Sequence, residues 1–305
     1  MHKLPAKFMQ PLVADAEMVS DLMNDGDPYF VDHVIDRVAD LQNLVTVDRN
    51  AIGKDARVPI AALGERYAVV ETEQPGLRRV VLDNTYLTRA ARSYVVDTAG
   101  RHGVAARCVW LDTPLAQAQV NLVERLLERF GSLPPPEELR ALARRGAGVH
   151  APTTQMRALR ELEPPSPDEG FARVEPLPFT RSAMLGRAGV FVAAAALEQP
   201  GWKRALDQGD RDAPHLVFDW KPDGAPDALA AAAARLSSEV SGPVETALCP
   251  HAAGPPSCWC RPPLPGLPLA FARAHGLDPA RSILVGTGPA HRTLATALGA
   301  RYIPI

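Results

Sequence analysis

Cys249-Pro250-His251 and Cys258-Trp259-Cys260, separated by six residues and followed by Arg261-Pro262-Pro263-Leu264-Pro265-Gly266, form the most informative run of this chain. Three of the four cysteines fall inside it, giving the pattern Cys-x-His-x6-Cys-x-Cys. Three thiolates and one imidazole complete a tetrahedral zinc site with every position filled by protein, which is the structural arrangement rather than the catalytic one. Cysteines grouped this tightly read as metal ligands in a reducing compartment, not as a disulfide framework. Cys249, His251, Cys258 and Cys260 are therefore the expected ligands of a structural zinc ion.

Around this run, short apolar stretches alternate with helical patterns. Residues 189–193, 216–219, 244–248 and 282–285 read as strands, and 227–236, 267–275 and 291–298 as helices. That alternation predicts a small doubly wound α/β domain over residues 186–305. Upstream, 44–47, 67–71, 79–82, 106–111 and 170–179 read as strands, and 88–102, 115–130 and 137–145 as helices. They predict a second parallel-sheet α/β domain over 43–182, behind an N-terminal extension, 1–42. Thr113-Pro114 should open the helix at 115, with Thr113 as cap and Pro114 as first helical residue.

A chain of 305 residues, 46% of them hydrophobic, has the size for two domains with real cores. Its net charge of -2 provides no global basic field for nucleic acid, so any such contact needs a local patch. The lysines are Lys3, Lys7, Lys54, Lys203 and Lys221, so the cations are mostly arginine. Arginine suits bidentate phosphate contacts, although Arg- and Ala-rich coding gives the same composition. The first ten residues lack an apolar segment, and the longest apolar stretches, 189–197 and 228–234, are too short to span a bilayer. A cytoplasmic protein without a membrane partner is expected.

The run Cys249 to Gly266 strongly resembles the zinc loop of small haloacid-dehalogenase-type phosphatases, those acting on histidinol phosphate and heptose bisphosphate. The resemblance covers residues 186–305. It implies a nucleophile strand ending Asp-x-Asp, but Ala193 and Ala195 stand at those positions. Pro262 replaces the phosphate-binding lysine, and Thr287 and His291 replace the acidic magnesium ligands. Alanine can neither form an acyl-phosphate nor hold magnesium. Asp210-Arg211-Asp212 and Asp25-Gly26-Asp27 repeat the Asp-x-Asp pattern without the preceding apolar strand. Gly286, Thr287 and Gly288, before a helix start at Pro289, remain candidates for binding an anion, with His291 adding charge at low pH. A strand–helix turn without a ligand is the other reading.

Val80-Val81-Leu82-Asp83-Asn84-Thr85, then Arg89 and Arg92, then Cys108 to Ala118, then Pro167 to Phe171 and Pro178-Phe179, resemble the kinase domain of polynucleotide 5′-kinases over residues 78–180. The resemblance implies a P-loop-kinase-like domain. Asp83, at a strand end, would orient a hydroxyl or a metal-bound water, or else caps the next turn. Asn121 and Arg125, four apart on the lid helix, would lie over nucleotide phosphates, with Arg125 stabilising the transferring group. Beside Glu124 and Glu128 they also fit a solvated polar face. Together with Arg89 and Arg92 these residues would face an acceptor strand.

The phosphate loop departs from that pattern. Gly53-Lys54 is the one Gly-Lys in the chain; Asp55 follows it and Asp48 stands where the first glycine belongs. Asp48-Arg49-Asn50 reverses the kinase's usual Asn-Arg-Asp. ATP and magnesium are therefore not expected to bind well. The whole resembles a bacterial polynucleotide kinase/phosphatase with degenerate catalytic motifs. It would act as a binding or accessory module that holds DNA or RNA ends weakly. The alternatives are an active 5′-kinase with an unconventional or upstream phosphate loop, and a zinc-stabilised interaction protein.

Overall fold

The structure is a computed structural model that describes residues 67–71, 78–82, 86–101, 103–144, 149–181, 186–225 and 227–305. In chain order its elements are β1 (Tyr67–Glu71), β2 (Arg78–Leu82), α1 (Arg89–Arg101), β3 (Arg107–Asp112), α2 (Leu115–Phe130), α3 (Pro136–Arg144), α4 (Pro152–Glu161) and β4 (Arg173–Pro178). They continue with β5 (Val190–Ala193), α5 (Trp202–Leu206), β6 (His215–Trp220), α6 (Ala230–Ser237), β7 (Val244–Cys249), α7 (Gly266–His275), β8 (Ile283–Gly286), α8 (Pro289–Leu298) and β9 (Arg301–Pro304). Asp83, the 48–55 segment, Asp25-Gly26-Asp27 and the expected 1–42 extension lie outside the described residues.

The chain packs as two α/β units. One holds the described residues up to Asp112 together with Ala158–Phe179; the other holds Thr113–Arg157 together with Thr180–Ile305. The boundary expected between residues 182 and 186 falls close to Thr180, where the chain enters the second unit for good. Thr113–Arg157, expected in the first domain, packs instead with the second. The reason is the apolar face of α2: Val123 and Leu126 are fully buried, in one core with Trp259, Leu269 and Leu294. Each leucine-sized side chain so buried contributes about 1.5–3 kcal/mol. Gln117 adds a bond from Nε2 to the Ala297 carbonyl of α8, at 3.1 Å.

Pro114, not Thr113, takes the cap position of α2, with φ -55° and ψ 140° and no side-chain capping bond. An extended ψ at proline puts the first helical turn one residue later than expected. At the other end, Gly131 closes the helix in the left-handed conformation, at φ 72°.

In the first unit, β3 and β4 pair in parallel, while β1 and β2 pair antiparallel. The alternating pattern suggested parallel pairing throughout. Only residues 72–77 separate β1 from β2, too few for the crossover of about a dozen residues that a parallel pair requires.

In the second unit, five parallel strands run in the order β7-β6-β5-β8-β9. Phe191, Ala193, Leu216, Phe218 and Leu284 face the core shared with α2, α7 and α8. Val190, Val192, Val217, Ile283 and Val285 face the other core, with Leu206 and Leu236. Burial on both faces explains why these strands read as unbroken apolar runs. The order reverses between β5 and β8, so the crevice of this fold lies at their carboxyl ends.

Candidate functional site

Cys249 is the last residue of β7. Its carbonyl accepts from the Lys221 amide at 3.0 Å, and the Pro250 carbonyl accepts from the Asp223 amide at 2.9 Å, so the loop after β6 fixes where β7 ends. The Trp220 indole donates to the His251 carbonyl at 2.8 Å. The Arg261 guanidinium lies over the Trp220 ring, 4.6 Å from its centroid, and donates to the carbonyls of Ala252 (3.4 Å) and Gly254 (2.8 Å). Gly266 N–H donates to the Trp259 carbonyl at 3.1 Å. A Cβ on Gly266 would meet that carbonyl oxygen at 2.4 Å, so close backbone approach explains the glycine that closes the run. Trp259 Nε1 bonds the His150 carbonyl at 2.9 Å, joining the loop to the segment before α4.

This scaffold brings the four expected ligands together. Their donor atoms all lie within 4.8 Å of one another. Cys249 Sγ stands 3.7 Å from Cys258 Sγ, 3.3 Å from Cys260 Sγ and 3.5 Å from His251 Nδ1; His251 Nδ1 is 3.1 Å from Cys260 Sγ. A tetrahedral zinc ion would set sulfurs about 3.8 Å apart and sulfur and nitrogen about 3.6 Å apart. No sulfur pair approaches the bonding distance of about 2.05 Å for a disulfide. The three cysteines are buried against Leu133, Trp220 and Leu267. Geometry, donor set and burial all fit a structural metal ion, with His251 binding through Nδ1. Among the described residues no other group of three such side chains converges.

The sulfurs share little room for charge. Hydrogen bonds from Cys249 and Cys260 hold Cys258 far below the ordinary thiol range. Its contact with Cys258 pushes Cys249 up to about 11, and contacts with Cys249 and Cys258 raise Cys260 further. The cluster thus carries one thiolate readily and resists a second. A dication in its centre relieves that repulsion.

The carboxyl ends of β5 and β8 carry different chemistry. Ala193 ends β5 and is 1% exposed, while Ala195 is exposed in the 3₁₀ turn that follows. Neither offers a polar atom beyond the backbone. Gly286, Thr287 and Gly288 precede α8, which starts at Pro289 as expected. Tyr302 Oη donates to the carbonyls of Gly286 (2.9 Å) and Gly288 (3.3 Å). The Thr287 amide donates to His291 Nδ1 at 3.2 Å, so one amide expected to meet an anion already has a partner. Burial lowers the His291 pKa, with Asp219 opposing, which keeps the imidazole neutral as that bond requires. Asp210-Arg211-Asp212 lies just before the amino end of β6, the far end of the sheet from the crevice.

Arg89, Arg92 and Asn121 have internal partners. Arg89 Nη1 donates to Asp168 Oδ2 at 2.9 Å, and Nη2 to the Asp168 carbonyl at 3.1 Å. Arg92 forks onto Glu169. On α2, Arg181 donates to Gln117 Oε1 (3.0 Å), Asn121 Oδ1 (2.6 Å) and Glu124 Oε2 (2.9 Å), so Asn121 lies beneath a guanidinium of the chain itself. Arg125, one turn beyond Asn121, is half-buried in the second unit with the rest of α2. Sequence reasoning missed Arg181, Glu169 and Trp220; partners so far away in the chain leave no local spacing to detect.

Residues 48–147 match the family described as "AAA domain", a span that holds Gly53-Lys54, Asp83, Arg89, Arg92, Asn121 and Arg125 and covers less than half of the chain. Among solved structures, a HAD-superfamily hydrolase, subfamily IA, variant 1, from Geobacter sulfurreducens is 14% identical. That match covers 66% of this chain and 86% of the other, with a TM-score of 0.25. No curated protein matches the chain. No helix among the described residues is long and apolar enough to cross a membrane.

Proposed function

We propose that this is a polynucleotide kinase/phosphatase-like protein that has lost its phosphatase chemistry and serves as a binding or accessory module in nucleic-acid end processing. The observation that carries the reading is Ala193. It occupies the carboxyl end of the central strand of a doubly wound sheet, where such folds present their reacting groups, and it has no functional side chain. The Cys-Cys-His-Cys cluster at the carboxyl end of β7 supports a retained scaffold, with Cys249, His251, Cys258 and Cys260 holding zinc. The match over residues 48–147 supports a kinase-like half. Asp48 and Asp55, around the one Gly-Lys, would repel a triphosphate. DNA or RNA ends would be held through arginine–phosphate pairs, with Arg89 the most exposed of the named candidates.

Calorimetric titration with ATP, then with a 5′-hydroxyl oligonucleotide at two salt concentrations, tests this reading. Expected are no ATP binding tighter than about 1 mM and weak oligonucleotide binding that falls steeply with salt. Micromolar ATP binding would restore the active-kinase alternative. A second reading, a zinc-stabilised interaction protein, is favoured by the engagement of Arg92 with Glu169; it prevails if the oligonucleotide stays silent at low salt.

A further inference from the structure

The segment from Glu163 to Glu169 lays three carboxylates against the start of α1. Glu163 Oε2 accepts from the Arg89 amide at 2.5 Å, and the Glu163 amide is anchored on the Leu87 carbonyl at 2.9 Å. Asp168 pairs with the Arg89 guanidinium and Glu169 with that of Arg92. The two pairs differ in kind. Side chains of Arg92 and Glu169 are 5% and 3% exposed, so that pair is an internal anchor. Those of Arg89 and Asp168 are 53% and 66% exposed, and an ion pair so open to water contributes little. Beside them lies an open hollow of about 800 Å³, whose lining includes Thr88, Arg89, Ser93, Glu163 and Ser166.

We propose that Glu163 and Asp168 form an internal acidic clasp that competes with the phosphates of a nucleic-acid end for Arg89. The inference rests on the nucleic-acid reading above and names a regulation of the same arginine. Glu169 holds the segment in place through Arg92, so the clasp can open at Asp168 without releasing the strand that follows. Glu163 keeps carboxylate charge beside the Arg89 amide and repels an arriving phosphate. Opening exchanges one anion for another at Arg89. The freed carboxylate recovers a cation as the phosphate sheds one, and the net release of counterions is smaller than for an unguarded arginine.

The test compares the full chain with the Glu163→Gln/Asp168→Asn variant, using a fluorescent single-stranded DNA 12-mer bearing a 5′-phosphate. Both substitutions keep hydrogen-bond acceptors, and the Asp168 carbonyl still receives Arg89 Nη2. Asp168→Asn alone serves as the milder variant, and circular dichroism checks the fold of both. Expected is binding about two- to fivefold tighter in the double variant at low salt. Its plot of log affinity against log salt should be steeper by about 0.7 for each carboxylate no longer displaced. Equal affinities and equal slopes overturn the clasp while leaving nucleic-acid binding intact. No binding by either protein overturns the nucleic-acid reading, and the clasp falls with it.

Discussion

Arg92 and Glu169 form a two-pronged pair, Nε to Oε2 and Nη2 to Oε1, both at 2.7 Å, across 77 positions of sequence. Glu169 Oε1 also accepts from the Ser166 amide at 3.0 Å, and Arg92 Nη1 reaches the carbonyls of Tyr86 (2.9 Å) and Leu87 (3.3 Å). One buried contact thus fastens the entry of α1, the Ser166–Glu169 turn and the approach to β4.

Removing one partner should be costly, because the other charge is left buried without compensation. Glu169→Ala is expected to destabilise the first unit by about 3 kcal/mol. The Arg92 hydrogen bonds hold the Glu169 pKa below the ordinary carboxylate range. Its contribution is therefore complete above the ordinary value and is lost as pH falls through the lowered folded value. Urea unfolding monitored between pH 7 and pH 3 checks both points: the wild type should lose more stability with acid than Glu169→Gln.

Purified without chelators, the protein should carry one zinc ion per chain by elemental analysis. Cys258→Ser should abolish stoichiometric zinc and lower stability by several kcal/mol, because structural metal binding is coupled to folding. Zinc affinity should rise with pH and binding should release protons, since the thiols enter the site as thiolates. Retention of a full equivalent of zinc by Cys258→Ser would remove Cys258 from the ligand set.

No magnesium-dependent hydrolysis of a 3′-phosphorylated oligonucleotide is expected. Ala193, Ala195, Pro262 and Thr287 supply neither nucleophile, phosphate-binding cation nor metal ligand at the positions that the resemblance assigns. Turnover that disappears in Asp219→Asn or Asp210→Asn would reveal a replacement nucleophile and defeat the prediction. Of the two, Asp219 lies on β6 one residue beyond Phe218, the partner of Ala193, and so belongs to the crevice end of the sheet.

Two imidazoles should make the second unit sensitive to mild acid. His215 is 1% exposed at the start of β6, its Nδ1 has no hydrogen-bond partner, and burial lowers its pKa. His291 is lowered by burial as well. An imidazole with a depressed folded pKa binds its proton more readily in the unfolded chain. Its stabilisation is therefore complete above the ordinary value of about 6.5 and is lost as pH falls toward the lowered folded value. Urea midpoints at pH 7.5 and pH 5.5 should differ less for His215→Leu than for wild type. An unchanged difference would assign the acid sensitivity elsewhere.

Local structure was largely legible because its causes are local. The amphipathic spacing of Leu115–Phe130 and the unbroken apolar runs of β5, β6 and β8 declare themselves within a few residues. The zinc ligands were legible for a chemical reason, since few other uses need three cysteines and a histidine so close together. Where α2 docks was not legible: an apolar stripe states that a face will be buried, not against which partner. The short edge strand β9 went unread because arginine and proline dilute its apolar pattern, and α4 because Pro152 is its sole buried residue. Arg89, Arg92 and Asn121 looked like phosphate ligands because their partners, Asp168, Glu169 and Arg181, sit 60 or more positions away.

The return of the chain to its first unit after Thr113–Arg157 has a consequence for synthesis on the ribosome. Strand β3 must wait for β4 to be translated, and in the interval α2 and α3 emerge with Val123, Leu126 and Leu139 bare, more than 50 residues ahead of β5, the first strand of the sheet whose core they complete. The nascent protein therefore passes through a window in which neither unit can close, and exposed apolar surface of that kind is what chaperones bind and what aggregates. Cutting the chain at residue 180 would leave the second unit open permanently, because the later half lacks the helices that seal one face of its sheet.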